Sequence, residues 1–311
     1  MSNSTSVLSG AAFIKPNVAP NAIDGVFSHT PLLNTFRSEG RILPSGGSDP
    51  VKWNYVYGRD GAVSTWSENE TLSLFGGTLS TQASQAHQYK KVLFGVTDFQ
   101  LANQAAGGLY QDVVELEKEK AALALMKAFE DAFCGNGASV GISSLIDSIG
   151  TAHSINQSTY STWSSVKTDC SGSLFVSALD QTYSNLLATN ASPSSLKLFM
   201  SPAVATIYQT SVDSNMRGMY GQPLDLGKNP SASGLKFNGA DIIVIPGASV
   251  QECYFVDMSK AHISVLVEPA AVQIPAQNMG LSFAARASMA LILDDRACHA
   301  KIINIHQRAT S

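Results

Sequence analysis

One serine of this 311-residue chain stands in a pattern that can support nucleophilic catalysis. Residues 137–141 read Gly-Ala-Ser-Val-Gly and place Ser139 at the centre of a Gly-x-Ser-x-Gly match. In hydrolases that pattern joins a strand to a helix, and the sharp turn exposes the serine hydroxyl. Here the pattern follows a predicted helix instead of a strand. We therefore predict no catalytic residue, and a serine hydrolase that uses Ser139 stays as an alternative.

The other reactive side chains are scattered along the sequence. Ser164 and Ser194 each precede a lysine by three residues, but the Ser-Asp-Asn and Lys-Thr-Gly partners of that pattern do not occur in the sequence. The six histidines form no His-x-x-x-His pair, and the four cysteines form no Cys-x-x-Cys pair. No glycine-rich phosphate-binding pattern occurs either. The sequence therefore predicts no metal site, no cofactor and reduced, buried thiols.

The composition points to a lightly charged surface. Charged residues make up 14% of the chain, against roughly 25% in ordinary soluble proteins, while 44% are hydrophobic. Such a surface favours coverage by neighbouring subunits, and a weakly charged monomer is the competing interpretation. The net charge of -4, without a cluster of Lys and Arg, argues against a dedicated nucleic-acid binder. With no signal-peptide pattern and no membrane-length apolar run, we expect assembly in a cytoplasm and no membrane partner.

The elements that must position these residues are short strands around one long helix. Apolar residues recur at helical spacing between Leu109 and Phe133, so residues 107–137 predict a spine helix of about 25 residues that Gly135 closes. Before it, residues 51–57 alternate as a strand. Residues 58–61 predict a tight turn into a second strand near residues 62–66, which gives a hairpin with little core of its own. A polar stretch at residues 80–88 then leads to a strand at 89–97.

The second half predicts short alternating elements, and the fold class is α+β. A helix follows Ser171 or Ser173, and a second helix starts at Pro202 with Ser201 as its cap and runs through Tyr208. A long loop is predicted over residues 213–234. The remaining strands are predicted at residues 197–200, 236–237, 241–245, 253–257, 262–267, 281–293 and 299–305.

This order of parts resembles that of the tailed-phage major capsid protein, the Hong Kong ninety-seven type fold. The resemblance covers roughly the whole chain and rests on the order of several short stretches. They are residues 92–98 leading to Gly107 and Gly108, then residues 198–203, 213–218, 235–242, 254–257, 283–287 and 301–305. The resemblance implies an N-terminal arm at 1–40 and an extended E-loop β-hairpin at 41–85. It implies a P-domain formed by 86–137, with the spine helix, and by the return strands of 269–311, with a mixed α/β A-domain at 138–268.

The resemblance also implies the function of the chain. It predicts a structural, non-catalytic protein that self-assembles into the icosahedral head of a tailed double-stranded DNA bacteriophage. An encapsulin-like cellular nanocompartment shell shares the fold and stays open. The residues expected at contacts between subunits are Tyr57, Gly58, Arg59, Asp60 and Gly61 at the E-loop tip, Asp213, Asn215, Arg217, Tyr220 and Lys228 in an A-domain loop near the capsomer axis, and Phe13, Ile14 and Phe27 in the arm.

The implied partners follow from the same resemblance. They are further copies of the chain as pentamers and hexamers, a portal, a separate scaffold or decoration protein, and packaged DNA contacted non-specifically. The expected location is the virion, after assembly in the host cytoplasm. Some family members join subunits through a Lys–Asn bond, but Lys52 lies near the base of the hairpin and no matching set of residues is found. We therefore predict no crosslinking.

Overall fold

The computed structural model describes residues 30–59, 78–105, 113–135, 140–147, 150–171, 175–189, 191–220, 236–275 and 280–306. The helices of this part are α1 (Pro31–Ser38), α2 (Asp98–Ala105), α3 (Val113–Cys134), α4 (Ile142–Leu145), α5 (Phe175–Ala188) and α6 (Pro202–Tyr220). The first seven strands are β1 (Ile42–Pro44), β2 (Val51–Arg59), β3 (Thr78–Gln85), β4 (Gln88–Thr97), β5 (Thr151–Ala152), β6 (Ile155–Asn156) and β7 (Val166–Asp169). The others are β8 (Leu196–Met200), β9 (Lys236–Phe237), β10 (Ala240–Val244), β11 (Cys253–Asp257), β12 (Ala261–Ile274), β13 (Gly280–Leu293) and β14 (Ala300–Ile303).

The spine helix packs on a four-stranded sheet. The sheet has the order β1-β12-β13-β4, with β13 antiparallel to both of its neighbours and β1 parallel to β12. The alternation of β4 turns Phe94 towards the helix, where its ring stacks on that of Phe283 at 5.2 Å. From α3, Met126, Phe129 and Phe133 are fully buried in the same core, as their helical spacing predicts.

The predicted bounds of the spine helix need correction. The helix α3 has 22 residues and begins at Val113, while Asp98–Ala105 forms a separate helix that the sequence interpretation treated as a connection. Residues 107–112 and 136–137 lie outside the described part.

A second sheet has six strands in the order β7-β14-β11-β8-β10-β9. The helices α5 and α6 contribute Leu179, Leu186 and Val204 to its core, and the Val204 N–H lies 3.3 Å from the Ser201 Oγ that caps α6. The last strand, β14, pairs with β11 and β7 in this sheet, so residues 269–311 contribute to both sheets. The division into domains stays a prediction.

The helix α6 is longer than predicted. It continues to Tyr220, so the loop expected from residue 213 begins at least eight residues later. The loop was predicted because this stretch contains poor helix formers such as Asp213, Asn215 and Gly218. A helix that is capped and packed at its start adds one backbone hydrogen bond per further residue, and this propagation outweighs weak local preferences.

The hairpin also differs from the prediction. The strand β2 pairs with β3, with Val51 opposite Gln85 and Arg59 opposite Thr78, so the return strand lies in the polar stretch and the connection spans residues 60–77. Gly58 and Arg59 therefore belong to a strand and not to a turn. A register shift between Val56 and Gly58 accommodates the glycine that suggested the turn.

Candidate functional site

The hairpin packs against the body of the subunit through edge-on and tilted contacts between aromatic rings. Tyr55 meets Trp163 edge-on at 4.5 Å between ring centroids, and Tyr57 lies 4.9 Å from Tyr160. The Tyr55 hydroxyl donates a hydrogen bond of 2.9 Å to the carbonyl of Thr162. The expectation that the hairpin has little hydrophobic support is therefore wrong at its base, where these rings form a small core with residues of the body.

A buried histidine extends this contact to the four-stranded sheet. The Nε2 of His153 accepts a hydrogen bond of 3.2 Å from the backbone N–H of Leu293, so Nδ1 carries the proton and donates to the Gln85 side-chain oxygen at 2.8 Å. Burial lowers the pKa of His153 to about 3, and the ring is neutral. Trp53 stacks edge-on against this ring at 5.0 Å. We call Trp53, Tyr55, Tyr57, His153, Tyr160 and Trp163 the hairpin clasp.

A carboxylate fixes the point where the chain enters the hairpin. The Asp49 side chain accepts hydrogen bonds from the Tyr89 hydroxyl at 2.5 Å and from the His87 backbone N–H at 3.1 Å. These bonds, that of Tyr89 first, hold the pKa of Asp49 below its usual value. The Nε2 atom of the His87 ring lies 3.3 Å from the Ser264 hydroxyl of β12. The hairpin is thus tied to the sheet at its entry as well as at the clasp.

The four-stranded sheet leaves part of its second face exposed, along β4 and the neighbouring part of β13. Side chains alternate along each strand, and those that point away from α3 include Tyr89 and Leu93, whose side chains are 62% and 61% exposed. Lys91 and Arg286 stand opposite each other on neighbouring strands of this face. A shallow cavity of about 500 Å³ lies here, lined by Tyr89, Lys90, Lys91, Val267, Arg286 and Ala287. Exposed apolar and basic residues side by side are typical of surfaces that another protein covers.

The residues predicted at the E-loop tip and in the arm fall into two groups. Tyr57 and Gly58 are partly buried in β2, and the backbone of Arg59 ends that strand. Asp60 and Gly61 lie outside the described residues, as do Phe13, Ile14 and Phe27. The structure therefore places Gly58 and Arg59 in the hairpin strand, and the contacts predicted for the E-loop tip and for the arm stay predictions.

The residues predicted near the capsomer axis share a helix. Asp213, Asn215, Arg217 and Tyr220 occupy the last turns of α6, which corrects their assignment to a loop. Lys228 lies outside the described residues. Residues 213 and 217 are four apart, so they share one helix face, and their role in contacts stays a prediction.

The structure also bears on catalysis. Ser139 lies outside the described residues. The most prominent buried polar cluster elsewhere joins α4 to the six-stranded sheet: the Lys301 ammonium lies 3.2 Å from the Glu252 carboxylate and 2.9 Å from the Ser143 hydroxyl, which itself donates to Glu252 at 2.8 Å. Tyr254 donates to the same carboxylate at 2.6 Å. Because Lys301 is paired with Glu252 and Ser143 is buried, we assign this cluster a structural role.

Metal and membrane sites are not found in the described part of the chain. There, no group of three or more His, Cys, Asp or Glu side chains could hold a metal ion. The four cysteines are buried, and none of them forms a disulfide. No helix in the described ranges is long and apolar enough to cross a membrane.

Comparison with solved structures identifies this arrangement. No protein-family model matches the chain, and no curated protein sequence matches it. The structure is nevertheless similar to the capsid of cyanophage A-1(L), with a TM-score of 0.70 and 14% identity over 89% of this chain and 92% of that one. The chain has the Hong Kong ninety-seven type capsid fold. This finding confirms the α+β fold class and the fold that the order of elements predicts.

Two further structures support the same fold. The capsid of a native GTA particle matches with a TM-score of 0.63 and 13% identity over 83% of this chain and 86% of that one. A virus-like particle from Pyrococcus furiosus matches with a TM-score of 0.50 and 14% identity over 90% and 95%. The capsid fold is thus shared along most of the chain, although fewer than one residue in six is identical.

Sequence reasoning missed the exposed face of the four-stranded sheet and the hairpin clasp. The alternation of Tyr89, Lys91 and Leu93 along one strand was a usable signal for the exposed face, because these residues share a side of β4. For the clasp, Trp163 stands in an irregular segment without periodic neighbours, and no local pattern connects it to Tyr55.

Proposed function

We propose that the chain is the major capsid protein of a tailed double-stranded DNA bacteriophage and that it self-assembles into the icosahedral head. The observation that carries the proposal is the capsid fold, shared with phage capsid subunits over more than four fifths of the chain. The role is structural and non-catalytic. The mature location is the virion, after assembly in the host cytoplasm.

The geometry fits a subunit that makes several modest contacts. The hairpin has eight residue pairs, and it is held to its own body by Trp53, Tyr55 and Tyr57 of the clasp, which lie along β2 before the connection at residues 60–77. An exposed hairpin of this kind is marginal by itself and gains stability by packing on another surface. Different patches that meet head to tail close into rings, and many such contacts together stabilise a shell.

The proposed contact residues are those that the sequence indicated. They are the E-loop tip with Tyr57, Gly58, Arg59, Asp60 and Gly61, the end of α6 with Asp213, Asn215, Arg217 and Tyr220, together with Lys228, and the arm with Phe13, Ile14 and Phe27. Pentamers and hexamers are the proposed assemblies of this chain. The further proposed partners are a portal, a scaffold or decoration protein, and DNA bound without sequence preference.

Negative-stain electron microscopy with light scattering tests the assembly directly. The full chain is expected to form closed shells or capsomer rings. A variant in which a short Gly-Ser turn replaces residues 60–77 keeps the clasp, so it should stay folded while losing shells. A folded wild-type chain that remains monomeric at high concentration would overturn the proposal.

The second candidate is the shell of an encapsulin-like cellular nanocompartment. The similarity to the virus-like particle from Pyrococcus furiosus supports this second candidate. The contents of particles from the native source separate the two, because packaged genomic DNA supports the phage head and a co-purifying cargo enzyme supports the compartment. Labelling of Ser139 by a fluorophosphonate probe would instead support the alternative that the chain is a serine hydrolase.

A further inference from the structure

The spine helix carries a carboxylate in its buried face. Glu130 lies between the fully buried Phe129 and Phe133 in the sequence of α3 and is itself only 3% exposed. A carboxylate removed from water in this way is costly unless hydrogen-bond donors replace the lost water. The described structure shows which donors do so.

The donors are the first backbone N–H groups of α1. The N–H of Leu32 donates to one oxygen of Glu130 at 2.7 Å, and the N–H of Leu33 donates to the other at 3.0 Å. The residue at the usual capping position, Thr30, makes no side-chain cap hydrogen bond. A residue 98 positions away in the chain therefore caps this helix, and its carboxylate also faces the positive end of the helix dipole.

The helix α1 depends on this contact for its position. It has eight residues, too few for a stable isolated helix. Its apolar side, formed by Leu32, Leu33 and Phe36, is fully buried in the core that α3 shares. It also follows directly after residues 1–29, which form most of the predicted N-terminal arm.

We propose that Glu130 is a positioning residue that docks α1, and with it the root of the N-terminal arm, onto the spine helix, and that protonation of this carboxyl controls how firmly α1 is docked. The docking stands on the contacts described here. Only its consequence for how the arm reaches a neighbouring copy rests on the proposed capsid function.

Ionisable groups on the elements near Glu130 contribute less to its pKa than burial does. Those on the elements packed in this region are Asp131 and Cys134 on α3, Arg37 and Glu39 at the end of α1, Lys90 on β4 and Asp241 on β10. Glu39 and Asp241 both pair with Lys197, and the Lys90 ammonium lies over the Phe129 ring at 5.6 Å. The charge of Asp131 disfavours ionisation of Glu130.

Burial outweighs the two backbone hydrogen bonds and raises the pKa of Glu130 to about 7, from 4.5 for an exposed glutamate. The docked state therefore holds a proton more tightly than an undocked, solvated carboxyl does. The docking contribution is fully present below pH 4.5 and is lost as the pH rises through 7. Between pH 5 and pH 8 the docking equilibrium is expected to weaken on the order of 10- to 100-fold.

Hydrogen exchange of the full, unassembled chain tests this dependence. Amide protection of residues 32–39, corrected for the intrinsic effect of pH, is expected to fall by that factor from pH 5 to pH 8 in the wild type. Glu130→Gln cannot titrate, so its protection should be independent of pH. Its single acceptor oxygen can serve only one of the two N–H donors, so its protection should also be lower than that of the wild type at pH 5. Glu119→Gln, which removes a partly exposed carboxylate eleven residues earlier on α3, is the matched control and should keep the wild-type profile.

Two results would overturn the inference: a wild-type profile without this fall, or the same fall in Glu130→Gln. If Glu130→Gln does not fold, the shape of the wild-type profile decides, because protection must keep falling above pH 5 and level off only near pH 7. Exchange needs no assembly, so the outcome is separate from the capsid proposal. A chain that forms shells without this profile contradicts only the role of Glu130, and a chain with the profile but without shells contradicts only the capsid function.

Discussion

Replacing Tyr55 is expected to loosen the E-loop hairpin while the body of the subunit stays folded. The side chain is 7% exposed, its ring meets Trp163 at 4.5 Å, and its hydroxyl bonds the Thr162 carbonyl at 2.9 Å. The ring pair contributes about 0.5–1.5 kcal/mol beyond its buried area, and the hydrogen bond about as much again. Tyr55→Leu keeps an apolar group and should therefore cost about 1–3 kcal/mol, whereas Tyr55→Phe should cost about 1 kcal/mol.

The loss falls on the hairpin because the contacts of Tyr55 join β2 to the body, while the neighbouring contacts of Trp53 and Tyr57 stay in place. A cost of about 2 kcal/mol corresponds to roughly a 30-fold increase in local opening, since about 1.4 kcal/mol is a factor of ten. Hydrogen exchange of residues 51–59 and 78–85 measures this opening, and urea unfolding of the body should change little. The matched control is Val56→Ala on the same strand, because Val56 is 55% exposed.

Two outcomes would refute this reasoning. An equal increase in exchange for Val56→Ala would mean that the clasp does not hold the hairpin. A global unfolding of Tyr55→Leu would mean that the hairpin and the body form one cooperative unit. If the reasoning holds, electron microscopy should show fewer or less regular shells for Tyr55→Leu than for Tyr55→Phe.

Three further predictions concern the body. Phe129→Ala should lower the free energy of unfolding by about 3–5 kcal/mol in urea titrations, and Lys127→Ala on the exposed side of α3 should have almost no effect. Lys301→Ala leaves the half-buried carboxylate of Glu252 without its cation, so calorimetry should show a loss of about 3 kcal/mol, and retention of wild-type stability would contradict the pairing. His153 is neutral when folded, so it contributes stability above pH 6.5 that is lost as the pH falls towards 3, and His153→Gln should flatten the acid limb of the stability profile.

The sequence alone determined the elements whose signals are local. The strand β11 occupies residues 253–257 as predicted, because a short apolar run between polar turns specifies a buried strand. Ser201 and Pro202 marked the start of α6, because a cap and a first-turn proline act within one turn. The order of such elements was enough to predict the capsid fold, since the order of elements survives when individual residues change.

The tertiary structure decided everything that depends on partners far apart in the chain. The pairing of β2 with β3 across residues 60–77, the place of β14 in the second sheet, and the contact of Tyr55 with Trp163 each join segments that no local pattern connects. Glu130 shows the physical reason most clearly. In the sequence it is one more charged residue of a helix, and only the approach of α1, 98 residues away, makes it a buried cap. Local propensities select the elements, but burial and hydrogen bonding between distant segments select their partners.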